Sequence, residues 1–194
     1  RFQAWLEGRI CAKADLAWWF TDGALAAARS RHPSLGEHGI VVLPGAEPPV
    51  TRSEYVRGEV LRLGHFGSLS STRSLAPLLQ GLASVLVRRP ALRERIRLEV
   101  YGSALDPESA RLRKSLGLEA VVVCHGRLER DPATGQSGRE RVVERMQKLD
   151  VLVLAHGALQ DCSEYIPSKL YEYFWARRPI LAVTHQNAQL DQLV

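Results

Sequence analysis

Residues 163–173 read Ser-Glu-Tyr-Ile-Pro-Ser-Lys-Leu-Tyr-Glu-Tyr, and this stretch decides the fold. It follows the apolar run 151–154, whose composition is that of a strand buried on both faces. Ile166 precedes a proline and is expected to be extended. Pro167 is expected to open a helix that runs to Ala176, ahead of Pro179. A strand, a loop and a proline-led helix in this order predict one βα unit of a parallel sheet.

The same alternation extends along much of the chain. Short runs rich in Val, Ile and Leu predict strands at 40–43, 61–63, 98–101, 120–124, 151–154 and 180–183. Helical periodicity predicts helices within 75–86, 109–116, 139–149 and 167–176. A further strand is predicted at 16–20, with Thr21 and Asp22 capping the alanine-rich helix that follows. The pattern predicts an α/β fold with a Rossmann-like parallel sheet flanked by helices, and ligands beyond the carboxyl ends of its strands.

The composition excludes several classes of protein. Of the 194 residues, 45% are hydrophobic and 24% charged, which excludes a disordered chain. The net charge of +5 is spread along the sequence and forms no dense basic run, so no nucleic-acid partner is predicted. The three cysteines lie far apart, which indicates neither a zinc site nor a disulfide framework. Cys124 and Cys162 adjoin apolar runs and are expected to be reduced thiols in or near the core. No apolar stretch is long enough to span a membrane.

Chemistry concentrates at the start of the helix predicted from Pro167. Free backbone N–H groups of a first helical turn, together with the positive end of the dipole, form an anion site suited to a diphosphate. Glu164 lies just before this helix and Glu172 lies within it, so both can reach the same crevice. Carboxylates bind phosphate poorly but accept hydrogen bonds from sugar hydroxyls. For each glutamate taken alone, a solvated loop residue or a helix-face charge is the alternative interpretation.

Glu164 and Glu172 are separated by seven residues, and this spacing matches the E-x7-E motif of the retaining GT-B glycosyltransferases of family four. The flanking residues 166–173, followed by Arg-Pro-Ile-Leu-Ala at 178–182, resemble that family's P-x-K-x-x-E-Y block. The resemblance implies a C-terminal nucleotide-sugar-binding domain over 61–194.

The same resemblance implies an interdomain linker at 51–60 and the tail of an N-terminal, acceptor-side domain at 1–50. The chain starts at Arg1 without Met, and it ends at Val194 within what reads as a starting helix. We therefore expect a fragment of a longer protein, truncated in its C-terminal domain.

The resemblance also implies roles for individual residues. Glu164 would be catalytic and contact the transferred sugar, and Glu172 would hold the donor ribose. Gly67 would let the backbone approach the diphosphate closely. Ser68 stands where the family often has an arginine, and Arg73 stands where it has a lysine.

Further donor-binding residues are expected around this site. Ser168 and Lys169 lie at the predicted helix tip, where Lys169 and Arg73 would balance the charge of the leaving diphosphate. Arg127 ends the segment 124–127, which resembles the loop that frames the nucleotide base in that family. A solvated surface cation is the alternative interpretation for both arginines.

Four histidines follow predicted strands without metal-ligand spacing, and each is expected to hydrogen-bond the backbone. These are His65, His125, His156 and His185.

As a whole, the resemblance implies a retaining glycosyltransferase that needs neither metal nor cofactor. It would move a sugar from a nucleotide diphosphate sugar, such as UDP- or GDP-hexose, to a glycan or lipid-linked acceptor. The expected setting is bacterial polysaccharide or cell-envelope glycan synthesis, in the cytoplasm or at the inner face of the membrane through peripheral association. Two alternatives stay open: a nucleotide-sugar 2-epimerase of the same fold, and a non-enzymatic sugar-nucleotide-binding domain.

Overall fold

A computed structural model of the chain describes residues 2–50, 52–159, 162–163 and 165–194. Two parallel sheets organise these residues: a two-stranded sheet near the N-terminus and a five-stranded sheet that begins at Leu61. None of the helices in these ranges combines the length and the apolar character needed to cross a membrane.

The smaller sheet packs in one apolar cluster with residues of two helices. The elements of this part are α1 (Phe2–Lys13), β1 (Ala17–Trp19), α2 (Asp22–Arg31) and β2 (Gly39–Val41). Both predicted strands form, each slightly shorter than expected. The predicted cap is confirmed, because the Thr21 hydroxyl accepts a hydrogen bond from the Ala24 N–H at 3.1 Å. α1 was not predicted from the sequence. Cys11 is the one buried residue of this helix, so the helix has no apolar face that a sequence pattern could reveal.

Residues 42–60 connect the two sheets, and their described part contains neither helix nor strand. This segment includes the predicted linker at 51–60. It is held against the larger sheet's helices, because the Trp175 indole N–H donates to the carbonyl of Ala46 at 2.8 Å. The Ser53 N–H likewise donates to the side-chain oxygen of Gln147 at 2.6 Å. The division into domains stays a prediction.

The larger sheet confirms the predicted fold class. Its strands are β3 (Leu61–Gly67), β4 (Ile96–Gly102), β5 (Val122–Gly126), β6 (Val151–Ala155) and β7 (Ile180–Val183). All are parallel, in the order β5-β4-β3-β6-β7. The helices of this part are α3 (Ala76–Arg88), α4 (Pro107–Ser115), α5 (Gly138–Lys148), α6 (Lys169–Ala176) and α7 (Ala188–Asp191).

Two apolar clusters cover the faces of this sheet, which is why its strands lack polar alternation. On one face, strand residues such as Leu98 and Val153 pack with Leu79 of α3. On the other face, Leu152 and Leu154 pack with side chains of α5 and α6. The result is three layers, with helices on both sides of the sheet.

The order of the strands creates an opening at one place on the sheet edge. The chain adds β4 and β5 on one side of β3, and then crosses over to add β6 and β7 on the other side. Loops that follow β3 and β6 therefore diverge, and such a switch point is where α/β sheets bind ligands. β3 extends beyond the predicted range 61–63, so that Gly67 is the last residue of the strand.

Two local predictions are wrong. α6 begins at Lys169 instead of Pro167, because residues 167 and 168 form a turn ahead of it. The N–H groups of Leu170 and Tyr171 already donate to the carbonyls of that turn, at 2.9 and 3.2 Å, which leaves fewer free donors for an anion. Cys124 is exposed, since β5 is an edge strand, whereas Cys162 is buried as expected.

Candidate functional site

A cleft of about 880 Å³ opens at the carboxyl ends of β3 and β4. Its other walls come from the loop at 127–130, the start of α5 at 137–139, and the first turn of α6. Five of the predicted site residues line it together. They are Gly67, Ser68, Arg127, Lys169 and Glu172. The position matches the ligand edge predicted for the sheet.

The floor of the cleft is backbone. Gly67 and Gly102 end adjacent strands with φ angles of +113° and +118°. A Cβ on Gly102 would lie 2.5 Å from the carbonyl oxygen of Gly67, so the two strands approach each other too closely for a side chain at residue 102. Neither residue therefore places a Cβ between a ligand and the main chain at this point.

Lys169 crosses this floor and is largely desolvated. Its ammonium lies so near Gly67 that a Cβ there would overlap it. The pKa of Lys169 is lowered to about 8, first by burial and then by the nearby positive charge of Arg73, against an opposing effect of Glu172. An ammonium that is largely buried and lies near a second cation favours an anionic ligand.

Glu172 is held by an ion pair. Its Oε1 accepts a hydrogen bond from Nη1 of Arg139 at 2.7 Å, and its side chain is 26% exposed. Both residues line the cleft. Glu172 is therefore a partner of another helix and not the solvated helix-face charge of the alternative interpretation.

Two predicted residues lie apart from the cleft. Arg73 donates from Nη2 to the Tyr165 hydroxyl at 3.2 Å, and it acts on Lys169 through its charge. Ser168 precedes α6 with an exposed side chain that caps no backbone group. Neither is among the residues that line the cleft. Glu164 lies outside the described residues, so its catalytic role stays a prediction.

Arg127 reaches the cleft but is loosely placed. Its side chain is 84% exposed, and Nε lies 3.6 Å from Oε1 of Glu129. An exposed pair of this kind contributes little to stability. The position fits a residue that orders on a ligand, and it also fits the solvated cation that we left open.

The start of α5 contributes residues that sequence reasoning missed. Ser137 and Glu140 form a capping box, in which each side chain hydrogen-bonds the other's backbone N–H. Gly138 packs against the carbonyl of Leu128, where a Cβ would overlap the oxygen. The S-x-x-E spacing is the signal that could have located this helix start. Arg139 carried no such signal, because a single arginine on a helix resembles any surface charge.

Phe66 and Tyr101, which line the cleft, belong to an aromatic stack. The ring of Phe66 stacks on Tyr101 at 4.8 Å, and Tyr101 stacks in turn on His125 at 4.5 Å. The Tyr101 hydroxyl hydrogen-bonds Glu99, and burial together with that carboxylate raises the pKa of Tyr101. His125 therefore differs from expectation, since a ring and a carboxylate contact it; its Nε2 lies 3.4 Å from Oε2 of Glu99.

The two buried histidines behave as expected. His65 bonds the carbonyl of Val153 through Nδ1 at 3.1 Å, and His156 bonds that of Cys162 through Nε2 at 2.7 Å. Burial lowers the pKa of His65 to about 4 and also lowers that of His156, so both rings are neutral at pH 7. Within the described ranges, no three His, Cys, Asp or Glu side chains converge as a metal site would require.

No protein-family model and no curated protein matches the chain by sequence. Several solved structures match it by fold. WaaG, a glycosyltransferase involved in lipopolysaccharide biosynthesis, matches over 90% of this chain and 46% of its own, with a TM-score of 0.63 and 19% identity. TarM matches over 96% of this chain and 33% of its own, with a TM-score of 0.67 and 13% identity.

A third match is a mutant of S. aureus TarM in complex with Fondaparinux, alpha-GlcNAc-glycerol and UDP. It has a TM-score of 0.63 and 12% identity, over 96% of this chain and 37% of its own. The chain thus spans between a third and a half of the length of these neighbours. At such identities the likeness establishes a shared fold.

Proposed function

We propose that the chain carries the donor-binding part of a retaining glycosyltransferase. The enzyme would move a sugar from a nucleotide diphosphate sugar to a glycan or lipid-linked acceptor. The observation that carries the proposal is the presence of a largely buried ammonium, Lys169, and an arginine-held carboxylate, Glu172, in one cleft at the carboxyl ends of β3 and β4. The fold shared with WaaG, and with a TarM structure that contains UDP, supports it.

Each part of the cleft matches a part of such a donor. The diphosphate is the group that a largely buried ammonium would attract, and the backbone floor at Gly67 and Gly102 allows its oxygens to approach. Glu172 lies one turn further along α6, where its carboxylate can accept a hydrogen bond from a ribose hydroxyl. The two groups recognise neighbouring parts of one nucleotide.

The proposed chemistry is electrostatic stabilisation of a leaving group. As the bond between the sugar and the diphosphate breaks, negative charge builds on the diphosphate. Lys169, with the positive charge of Arg73 near it, would stabilise that charge. Glu164 is proposed to contact the transferred sugar, and retention is proposed to follow from attack on the face that the diphosphate leaves.

Ligand binding tests the proposal directly. We expect UDP or GDP to bind the full chain in calorimetry, and Glu172→Ala to weaken that binding by about 10- to 100-fold, as the loss of a hydrogen bond to a charged group does. Glu108→Ala is the matched control, because Glu108 also pairs with an arginine, Arg111, but on the surface of α4. If neither nucleotide binds the unaltered chain, the proposal is wrong. Interconversion of UDP-hexoses without acceptor would contradict transfer and indicate an epimerase.

The affinity for UDP should depend on pH through Lys169. The ammonium form binds the diphosphate, and its pKa in the ligand-free protein is about 8. The dissociation constant is therefore expected to be level between pH 7 and 8 and to rise by up to about tenfold per pH unit above that. Lys169→Arg should flatten this rise, because arginine does not lose its proton in this range. A level profile to pH 9.5 in the unaltered chain would contradict the role of Lys169.

A further inference from the structure

Glu172 lies between two cations that compete for it. Arg139, on α5, bonds its Oε1 at 2.7 Å. Lys169 lies three residues earlier on α6, a spacing that places two side chains on the same helix face. The carboxylate is near enough to raise the pKa of Lys169, yet among the described side chains its ion pair within 4 Å is with Arg139. The carboxylate is thus paired with the arginine and not with the ammonium.

We propose that Arg139 is a positioning residue for two ligand-binding groups of the cleft, Glu172 and Lys169. By binding Glu172, it orients the carboxylate for the ribose and leaves Lys169 available to the diphosphate. The inference rests on the proposed function and adds to it a residue with no counterpart in the motif at 163–173.

Local contacts fix the backbone at Arg139. It is the second residue of α5, and that helix start is anchored by the Ser137–Glu140 capping box. Gly138, just before it, packs against the Leu128 carbonyl, so the first turn has little freedom to shift. A side chain that starts from a fixed turn can orient its partner.

The geometry of the ion pair leaves Glu172 one oxygen for a ligand. Arg139 donates to Oε1 at hydrogen-bond distance, so Oε2 remains an acceptor. The carboxylate keeps 26% of its surface exposed, in a residue that lines the cleft. A ribose hydroxyl that donates to Oε2 would thus meet a carboxylate already in place, which lowers the entropy lost on binding.

Removal of Arg139 should release Glu172 toward Lys169. Both side chains are on one helix face, and the ammonium is poorly hydrated, so a direct ion pair would form. A diphosphate would then have to break that pair before it could bind. The loss of Arg139 should consequently weaken recognition of the ribose hydroxyls and of the diphosphate, through different atoms.

The test compares three ligands on the full chain by calorimetry: UDP, 2′,3′-dideoxy-UDP and inorganic pyrophosphate. We expect the unaltered chain to prefer UDP over the dideoxy analogue by about tenfold or more, and Arg139→Met to reduce that preference to less than about threefold. Pyrophosphate should bind Arg139→Met about five- to tenfold more weakly, and adding Glu172→Gln should restore its affinity. Arg139→Lys, which keeps a cation, should keep much of the preference for UDP.

Arg111→Met is the matched control, because it removes an arginine from the surface pair with Glu108. It should change neither the preference nor the pyrophosphate affinity. Arg139 is 59% exposed in its side chain, so its replacement should leave the fold intact.

Equal weakening of the binding of UDP and of its dideoxy analogue in Arg139→Met would indicate a structural role and overturn the inference. If Glu172→Gln removes the preference and Arg139→Met does not, the inference fails while the proposed function stands. If the unaltered chain does not bind UDP, the proposed function itself fails.

Discussion

Replacement of Lys169 by methionine is expected to weaken UDP binding by about 100-fold and to make the ligand-free protein more stable. The ammonium is desolvated and lies beside Arg73, so its pKa is lowered to about 8 from the ordinary 10.5. That difference corresponds to an unfavourable free energy of about 3 kcal/mol for the charged form in the folded state. Methionine fills a similar volume without charge, so it removes this cost together with the ligand contact.

The sign of the pH effect distinguishes this explanation from a packing effect. Between pH 8 and 10.5 the unfolded chain binds more protons than the folded chain, so the stability of the unaltered protein should rise with pH in this window. The advantage of the methionine variant should accordingly be largest at pH 7 and shrink by pH 10.

Urea unfolding at these two pH values measures both effects, and UDP calorimetry measures the binding. Lys114→Met, an exposed lysine on α4, is the control and should show neither change. A Lys169→Met protein that is less stable at pH 7 and still binds UDP would disprove this account.

Gly102→Ala should lower the free energy of unfolding by about 3 kcal/mol, since it combines a strained backbone with a clash. The φ of +118° suits glycine alone, and the new Cβ would lie 2.5 Å from the carbonyl oxygen of Gly67. That oxygen belongs to the neighbouring strand, so relief requires β3 and β4 to move apart at the floor of the cleft. UDP binding should weaken as well, because the floor changes shape.

Gly117→Ala separates the effect of backbone strain from the effect of the steric clash. Gly117 has a φ of +60°, and a Cβ there would meet nothing within 4 Å, so it keeps the backbone strain without the clash. We expect it to cost about 1 kcal/mol and to leave UDP binding unchanged. Equal costs for the two substitutions in urea unfolding would show that the close approach of β3 and β4 is unimportant.

Some local errors of sequence reasoning have a common cause. Pro167 was expected to be the first helical residue, but proline fits a preceding turn equally well, and the turn takes up the N–H groups of the first residues of α6. Cys124 was expected in or near the core because it follows an apolar run, yet its strand lies at the edge of the sheet. In each case a local pattern was compatible with two environments, and packing chose between them.

Sequence alone determined the α/β fold, because strands covered on both faces need uninterrupted apolar runs and parallel strands need helices between them. The resemblance at 163–173 and around Gly67 also pointed to Gly67, Lys169 and Glu172, which line one cleft, and their donor-binding roles stay predictions. Only the tertiary structure decided that Arg139 pairs with Glu172 and that Lys169 is largely buried against Gly67. Those contacts join residues 33 or more positions apart, and no local pattern records them, because they depend on how α5 and α6 pack across the sheet.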